Sequence, residues 1–298
     1  VIRVGTAGWS YPDWEGRVYP KAKPPGFHPL QVLSSCFDGV EVNSTFYAEA
    51  RSEVVVKWAE QVKSEPQFHF IVKLHQSFTH GHVDLAETAP LAFRAQAFQS
   101  ALEPLIRSGI LDGVLVQFPA SFHEQPDNVR RLGLIRSLLA ELPLILEVRH
   151  RSWFEPPALA SIQGLGYSLA HIDLPDAWDH PPKRFAPTGP IGYLRLHGRN
   201  QQSWFNRDVG RDERYDYLYT PPEVGALAKR ADEISQEVDQ TWVVTNNHFE
   251  GQAFANALEF KWLFNGRQPV PAPDEIVEAF PHLSEITEPR TQGGLFDG

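Results

Sequence analysis

Cysteine is almost missing from this chain: its 298 residues carry one, Cys36. An internal disulfide framework is therefore excluded, and a lone thiol fits a reducing compartment. Set in Leu33-Ser-Ser-Cys36-Phe37, it reads as a buried helix residue rather than a catalytic thiol. Positive charge is also in deficit, with 27 Lys+Arg against 37 Asp+Glu and a formal net charge of -10. That balance argues against a generic nucleic-acid binder, whose affinity rests on neutralising phosphates, while leaving room for a local basic site. Nowhere do about 18 apolar residues run together, so no membrane-spanning helix and no membrane partner are expected. The first residues show no charged leader followed by an apolar segment, which predicts an unexported, cytoplasmic protein. No tight metal motif of the H-E-x-x-H kind occurs.

What is present is an alternation of strands and helices. Ile2 to Gly8 reads as a first strand running into an aromatic loop, Trp9-Ser-Tyr11-Pro-Asp-Trp14, with glycines that permit close backbone approach. A short helix over Leu30 to Phe37 precedes strand two, Gly39 to Asn43, and Thr45-Phe46-Tyr47 opens its loop. Ser52 is placed to cap a helix reaching about Lys63, with Val55, Trp58, Ala59 and Val62 at helical spacing. Phe68 to His75 is strand three, Thr79-His80-Gly81-His82 its loop, and Pro90 to Ser108 a long helix with proline in its first turn. Gly113 to Pro119 is strand four, and Asp127 or Asn128 caps a helix to Leu142. Strand five starts at Leu144, a helix near Pro157 to Gln163 follows, and Tyr167 to Asp173 is strand six with a proline-rich loop. Gly192 to His197 is strand seven; a helix over Pro222 to Val238, strand eight over Thr241 to Asn246 and a helix over Gly251 to Phe264 complete the series. Eight such alternations predict an α/β fold, a single (β/α)8 barrel over residues 1–268, a fold of about 250 residues typically. Residues 269–298, rich in proline, charge and glycine, follow as an extension.

The stretch Leu144-Ile-Leu-Glu147-Val-Arg149 begins as a buried strand and ends in two polar groups that share a face. Other strands repeat the design: Glu41 and Asn43, Lys73 and His75, Gln117, His171 and Asp173, Arg195 and His197. Barrel enzymes carry their chemistry at this carboxyl-terminal end. Glu147, His171, Asp173 and His197 are the acid-base candidates, the alternative for the histidines being buried, satisfied core groups. The same four would be the ligands of a zinc or manganese ion. Three permanent cations, Lys73, Arg149 and Arg195, oppose a divalent metal in that volume, so a cofactor is left unassigned and a metal is the less favoured reading. They favour instead an anionic small molecule or a nucleic-acid end, held by Lys73, Arg149 and Arg195 with Asn43, His75, Gln117, Asn246 and Asn247. Lys73 has two readings: an ion pair with Glu41 or Glu147, or an imine-forming amine if neighbouring cations depress its pKa. His80 and His82 enter from their loop or face solvent.

The connection after strand seven, Arg199 to Thr220, is long for a compact fold. It carries Trp204, Phe205, Tyr215, Tyr217 and Tyr219 among arginines 207, 211 and 214, and is balanced by Asp208, Asp212, Glu213 and Asp216. Aromatics with arginines suit a lid over a nucleotide or single strand, or a packed cover.

Gly5-Thr-Ala-Gly-Trp9-Ser-Tyr-Pro-Asp-Trp14, Val40-Glu-Val-Asn-Ser-Thr-Phe-Tyr47, Glu147-Val-Arg-His-Arg-Ser-Trp153, Leu194-Arg-Leu-His-Gly-Arg199 and Asn246-Asn247 resemble the domain-of-unknown-function 72 family, also called YecE-like. The resemblance spans nearly the whole chain. It implies a (β/α)8 barrel related in shape to xylose-isomerase and endonuclease IV barrels, and it supplies no activity. The endonuclease IV metal cluster does not carry over residue by residue; Glu147 and His197 are scattered counterparts at most.

The last residues, Thr291-Gln292-Gly-Gly-Leu295-Phe296-Asp-Gly298, look like the Q-x-x-L-F peptides by which bacterial replication and repair proteins hold the sliding clamp. Leu295 and Phe296 would enter a hydrophobic groove while Gln292 bonds at its edge. Three functional expectations follow. One is an acid-base enzyme, a phosphodiester or phosphate hydrolase linked to DNA metabolism through the clamp. Another is a sugar or small-acid isomerase or lyase, and the third is a non-catalytic nucleotide or DNA-end binder.

Overall fold

Short apolar runs bounded by proline, glycine or polar residues form strands buried on both faces, as covered parallel strands must be. The computed structural model describes residues 1–204, 206, 210 and 212–290. Its barrel strands are β1 (Ile2–Ala7), β2 (Gly39–Val42), β3 (His69–Lys73), β4 (Leu111–Gln117) and β5 (Leu144–Glu147), then β6 in two segments (Ser168–Leu169 and His171–Asp173), β7 (Ile191–Leu196) and β8 (Gln240–Thr245). Each pairs in parallel with the next, and β8 returns to β1 from Ile2↔Thr241 to Thr6↔Thr245. The ladder has nine segments because Ala170 divides β6: Ser168–Leu169 pairs with β5 and His171–Asp173 with β7. Ala170 itself donates its N–H to the Leu146 carbonyl at 2.8 Å, so the ring closes.

Helices Pro29–Cys36, Ser52–Gln61, Ala89–Arg107, Pro126–Leu138, Pro156–Gly164, Pro221–Ser235 and Gln252–Phe264 lie between and after the strands. Five of these seven carry proline in the first turn, where its missing N–H costs nothing. Two helix starts fall earlier than the capping signals imply. Arg51 and Gln125 are the residues before the helices, so Ser52, Asp127 and Asn128 sit inside their first turns and do not cap them. The helix expected to reach Leu142 ends at Leu138, where Arg136 binds the carbonyls of Leu139, Ala140 and Leu142. Among the described residues no helix follows β6. Pro175, Pro181, Pro182, Pro187 and Pro190 deny that connection both backbone donors and helical freedom.

Two apolar shells flank the strands. Ile71, Leu115, Ile145, Tyr193, Trp242 and Val244 fill the barrel, while a larger shell including Phe70, Phe118, Trp153 and Phe254 lies between strands and helices. The amino-terminal end of the barrel is closed by Asp112, which meets Arg3 Nε at 3.1 Å, His69 Nδ1 at 2.7 Å and the Trp242 indole N–H at 3.1 Å. After the barrel, Val270–Ala272 pairs in parallel with Thr287–Pro289, and Ile276 and Leu283 between them are buried. The first part of the extension is thus folded. Gln292, Leu295 and Phe296 lie outside the described residues. Among the described residues, no helix is long and apolar enough to cross a membrane.

Candidate functional site

The strand period builds the site. Ile71, Leu115, Ile145, Tyr193 and Val244 form an inner apolar layer, and two residues further along the same strands stand Lys73, Gln117, Glu147, Arg195 and Asn246. Another step of two gives Arg149 and His197. The polar groups therefore gather at the carboxyl-terminal end.

Arg195 is the hub of that gathering. Its Nε and Nη2 donate to the two oxygens of Glu41 at 2.7 Å each, and its Nη1 donates to Glu147 Oε2 at 3.0 Å. The Tyr193 hydroxyl also donates to Glu41. Arg149 donates from Nε and Nη2 to the other Glu147 oxygen at 3.0 and 2.8 Å. Both glutamates are fully buried. Burial would raise the Glu147 carboxyl, but Arg195, Arg149 and His197 outweigh it and hold it well below the usual carboxylate range. Arg195 loses stability as a cation through burial and regains more from Glu41 and Glu147, so it stays charged.

His197 packs against this network with no exposure. Its Nδ1 is 3.0 Å from Asn246 Nδ2, and its Nε2 is 3.3 Å from Glu147 Oε1. With the asparagine amide assigned as donor, the imidazole proton belongs on Nε2, aimed at Glu147. Burial pulls the imidazole down to about 3 against the attraction of Glu147, so it is neutral at ordinary pH.

Lys73 is treated differently. Among the described residues its ammonium makes no hydrogen bond and no ion pair; it sits 4.1 Å from the centroid of the Phe46 ring. The ion pair with Glu41 or Glu147 is not formed, because arginines occupy both carboxylates. Burial and the Arg195 charge bring the amine down to about 7, with Glu41 and Glu147 offsetting only part of the effect. Thr45 Oγ1 donates to the Lys73 carbonyl at 2.6 Å, which fixes the end of β3.

Above these residues opens a cavity of about 480 Å³, a volume suited to a small molecule. Lys73, Arg149, Arg195, Asn43, Gln117 and Asn246 reach its lining from the strand ends. Asn43 Oδ1 is buried there without a hydrogen-bond partner among the described residues. The wall is aromatic: Trp9 meets Trp58 edge to face at 5.8 Å, and Tyr11 stacks on His248 at 4.3 Å. Gly8 makes that wall reachable, since its φ of +83° turns the chain so that Tyr11 Oη donates to the Ala7 carbonyl.

The long loop extends this wall. Tyr215 and Asp212 line the cavity, and Tyr215 lies 6.2 Å from His197 and 5.0 Å from His248, ring to ring. Phe205, Arg207, Asp208 and Arg211 of this loop lie outside the described residues.

Besides Glu147 and His197, which the buried network encloses, four sequence candidates are not brought into the cavity. Ala170, Ile172 and Leu174 are the inward residues of β6, so His171 and Asp173 face the outer side of the barrel wall. His171 Nε2 is 3.1 Å from the Phe185 carbonyl and its ring stacks on Phe185. Asp173 receives two bonds from Arg199 at 2.8 Å and one from the Tyr219 hydroxyl, which ties down the end of the long loop. His75 lies past the end of β3 and accepts from the Ser77 N–H, capping the short helix Gln76–Thr79. Asn247 faces away from Asn246 and donates to the Tyr217 carbonyl and Asn256. The suggested metal set is thereby split between two faces, and among the described residues no three of His, Cys, Asp and Glu converge into such a set.

Trp58 and His248 belong to the lining although their sequence signals are plain core and turn signals. A tryptophan at helical spacing looks the same whether it packs on a neighbour or walls a cavity. Only the proximity of the strand-end Asn-Asn-His run marks His248.

A parallel barrel with a polar strand-end cavity is the class these features define. The chain belongs to the family described as "Protein of unknown function DUF72", whose model matches residues 3–277. It is 32% identical to the UPF0759 protein YunF of Bacillus subtilis over 274 residues, 87% of this chain and 93% of YunF. It is 30% identical to the UPF0759 protein YecE of Escherichia coli over 155 residues, 52% of this chain and 50% of YecE. Crystal structures of DUF72 proteins share the fold. That from Thermotoga maritima has a TM-score of 0.76 at 33% identity, covering 89% of this chain and 99% of its own. One from Enterococcus faecalis has a TM-score of 0.77 at 28% identity, covering 89% and 96%.

Proposed function

We propose that this protein is an enzyme that binds a small anionic molecule in the strand-end cavity and acts on it by isomerase or lyase chemistry. The observation that carries this reading is the commitment of Arg149. It uses Nε and Nη2 on one oxygen of Glu147, while its Nη1 has no hydrogen-bond partner among the described residues and the side chain lines the cavity. Two buried carboxylates are met by two arginines plus Lys73, so the floor accepts one more negative group when Lys73 is protonated.

Hydrolysis of a phosphodiester at a nucleic-acid end, with Glu147 and His197 as acid and base, is less well served. Both residues are fully buried and neither lines the cavity. Calorimetric titration with inorganic phosphate, lactate and neutral glycerol tests the reading. Binding of the anions alone, lost in Arg149→Met, is expected; equal response to glycerol, or anion binding that survives the substitution, overturns it. Phosphorylated sugars and small acids, with and without divalent metal, are then the substrates to screen.

A further inference from the structure

We propose that Lys73 is a nucleophilic amine that forms an imine with a carbonyl group of the anionic substrate. The inference rests on the anion-binding reading above and adds to it a reactive residue and a substrate class, a small carbonyl compound carrying a carboxylate or phosphate.

Three observations support it. The amine is buried, lines the cavity and lies against the face of Phe46 rather than against a carboxylate. Its two nearby carboxylates, Glu41 and Glu147, are each held by arginine at 2.7 to 3.0 Å, so among the described residues no counter-ion competes for the ammonium. Its backbone is fixed by Thr45, which limits where the side chain can reach. A lysine kept only for solubility would not be dried, and one kept for an ion pair would have its partner. The lowered pKa of about 7 is consistent with this role, because an ordinary lysine is almost wholly protonated and unreactive at neutral pH.

The step balances without an added oxidant or reductant. The Lys73 lone pair attacks the carbonyl carbon, the C=O π pair moves to oxygen, and a proton passes from nitrogen to that oxygen to give a carbinolamine. Protonated at oxygen, the carbinolamine loses water and the C–N bond becomes an iminium. That cation withdraws electrons from the adjacent carbon, where either a proton or a carbon fragment can leave. Arg149 holds the anionic end, so that end does not become the counter-ion of Lys73.

Trapping by reduction is the test. The full chain is incubated with pyruvate or glyoxylate as anionic probes and propanal as a neutral one, in the presence of cyanoborohydride. The labelled lysines are then mapped by proteolysis and mass spectrometry. A reduced imine adds the mass of the probe less one oxygen atom. The expected result is labelling of Lys73 by the anionic probes at least tenfold faster than the exposed Lys57, Lys63 and Lys229, with none at position 73 in Lys73→Arg. Labelling of Lys73 no faster than those surface lysines overturns the proposal, and wild-type mapping alone decides this even if the variant fails to fold.

The two readings fail separately. Calorimetric binding of phosphate and lactate that depends on Arg149, without labelling of Lys73, keeps the anion site and removes the imine. Preferential labelling of Lys73 by propanal as fast as by pyruvate, unchanged in Arg149→Met, keeps the nucleophile and removes the anion site.

Discussion

Arg195 grips Glu41 at both carboxylate oxygens, 2.7 Å from each, and in doing so takes the counter-ion that Lys73 would otherwise have. One arginine thus sets the state of a lysine on another strand. It also bridges Glu41 to Glu147, strands that are not neighbours in the barrel, so the polar floor is a single unit.

Removing that hub has two consequences. Arg195→Met leaves two buried carboxylates without their shared partner, and breaking a buried pair this way costs about 3–5 kcal/mol. Urea unfolding is expected to show that loss. Lys73 should also regain a carboxylate partner, lifting its pKa from about 7 toward the ordinary lysine range and slowing its reaction with electrophiles at neutral pH. Unchanged unfolding in Arg195→Met would falsify the view of Arg195 as the hub.

Lys73 predicts a pH dependence of stability with a definite sign. Its native pKa of about 7 is below its unfolded value, so between the two the unfolded chain holds a proton that the native protein lacks. Stability of the wild type should therefore rise with pH from about 7 toward 10.5 relative to Lys73→Met, by at most about 1.4 kcal/mol per pH unit. Below pH 7 both states hold the proton and the difference is constant. The charges around the amine are Arg195, Arg149, Glu41 and Glu147. Parallel stability curves for the two proteins from pH 7 to 10 would show that Lys73 is not dried as described.

Asp173 is expected to matter for the loop rather than for chemistry. Asp173→Asn removes the charge that meets Arg199 twice and Tyr219 once, worth about 1.5–3 kcal/mol for bonds to a charged group. Limited proteolysis should cut within residues 199–220 faster in the variant, while reduction trapping at Lys73 proceeds. Abolished trapping with an intact loop would put Asp173 back among the reacting groups.

The terminal peptide makes a claim independent of the barrel. Calorimetry of the intact chain against a bacterial sliding clamp is expected to give micromolar binding through Gln292, Leu295 and Phe296, absent from a chain ending at Arg290. No heat from the intact chain removes the link to DNA metabolism and leaves the cavity reading untouched.

The fold was largely legible because strand and helix periods differ and proline marks helix starts. The floor of the site was legible on β3, β4, β5, β7 and β8, where one apolar residue two positions earlier settles which side chains point inward. Strand six resisted because Leu169, Ala170 and Ile172 are apolar at both parities, and the break at Ala170 gives no signal of its own. His75 and Asn247 were misplaced by continuing a strand period past the strand end, where a cap and a turn take over. Pairing was the least legible feature. The sequence shows two glutamates, two arginines and a lysine, and only the distances reveal which cation goes without a partner.

The meeting of the first loop with the turn after the eighth strand at the aromatic wall sets an order of events during synthesis. Trp14 donates its indole N–H to the His248 carbonyl and Asp13 accepts from the Glu250 N–H, so the first loop has no seat until the eighth strand exists. A nascent chain that has left the ribosome through β5 carries Glu41, Lys73 and Glu147 but not Arg195, so the polar floor is joined into one unit only when β7 has been made.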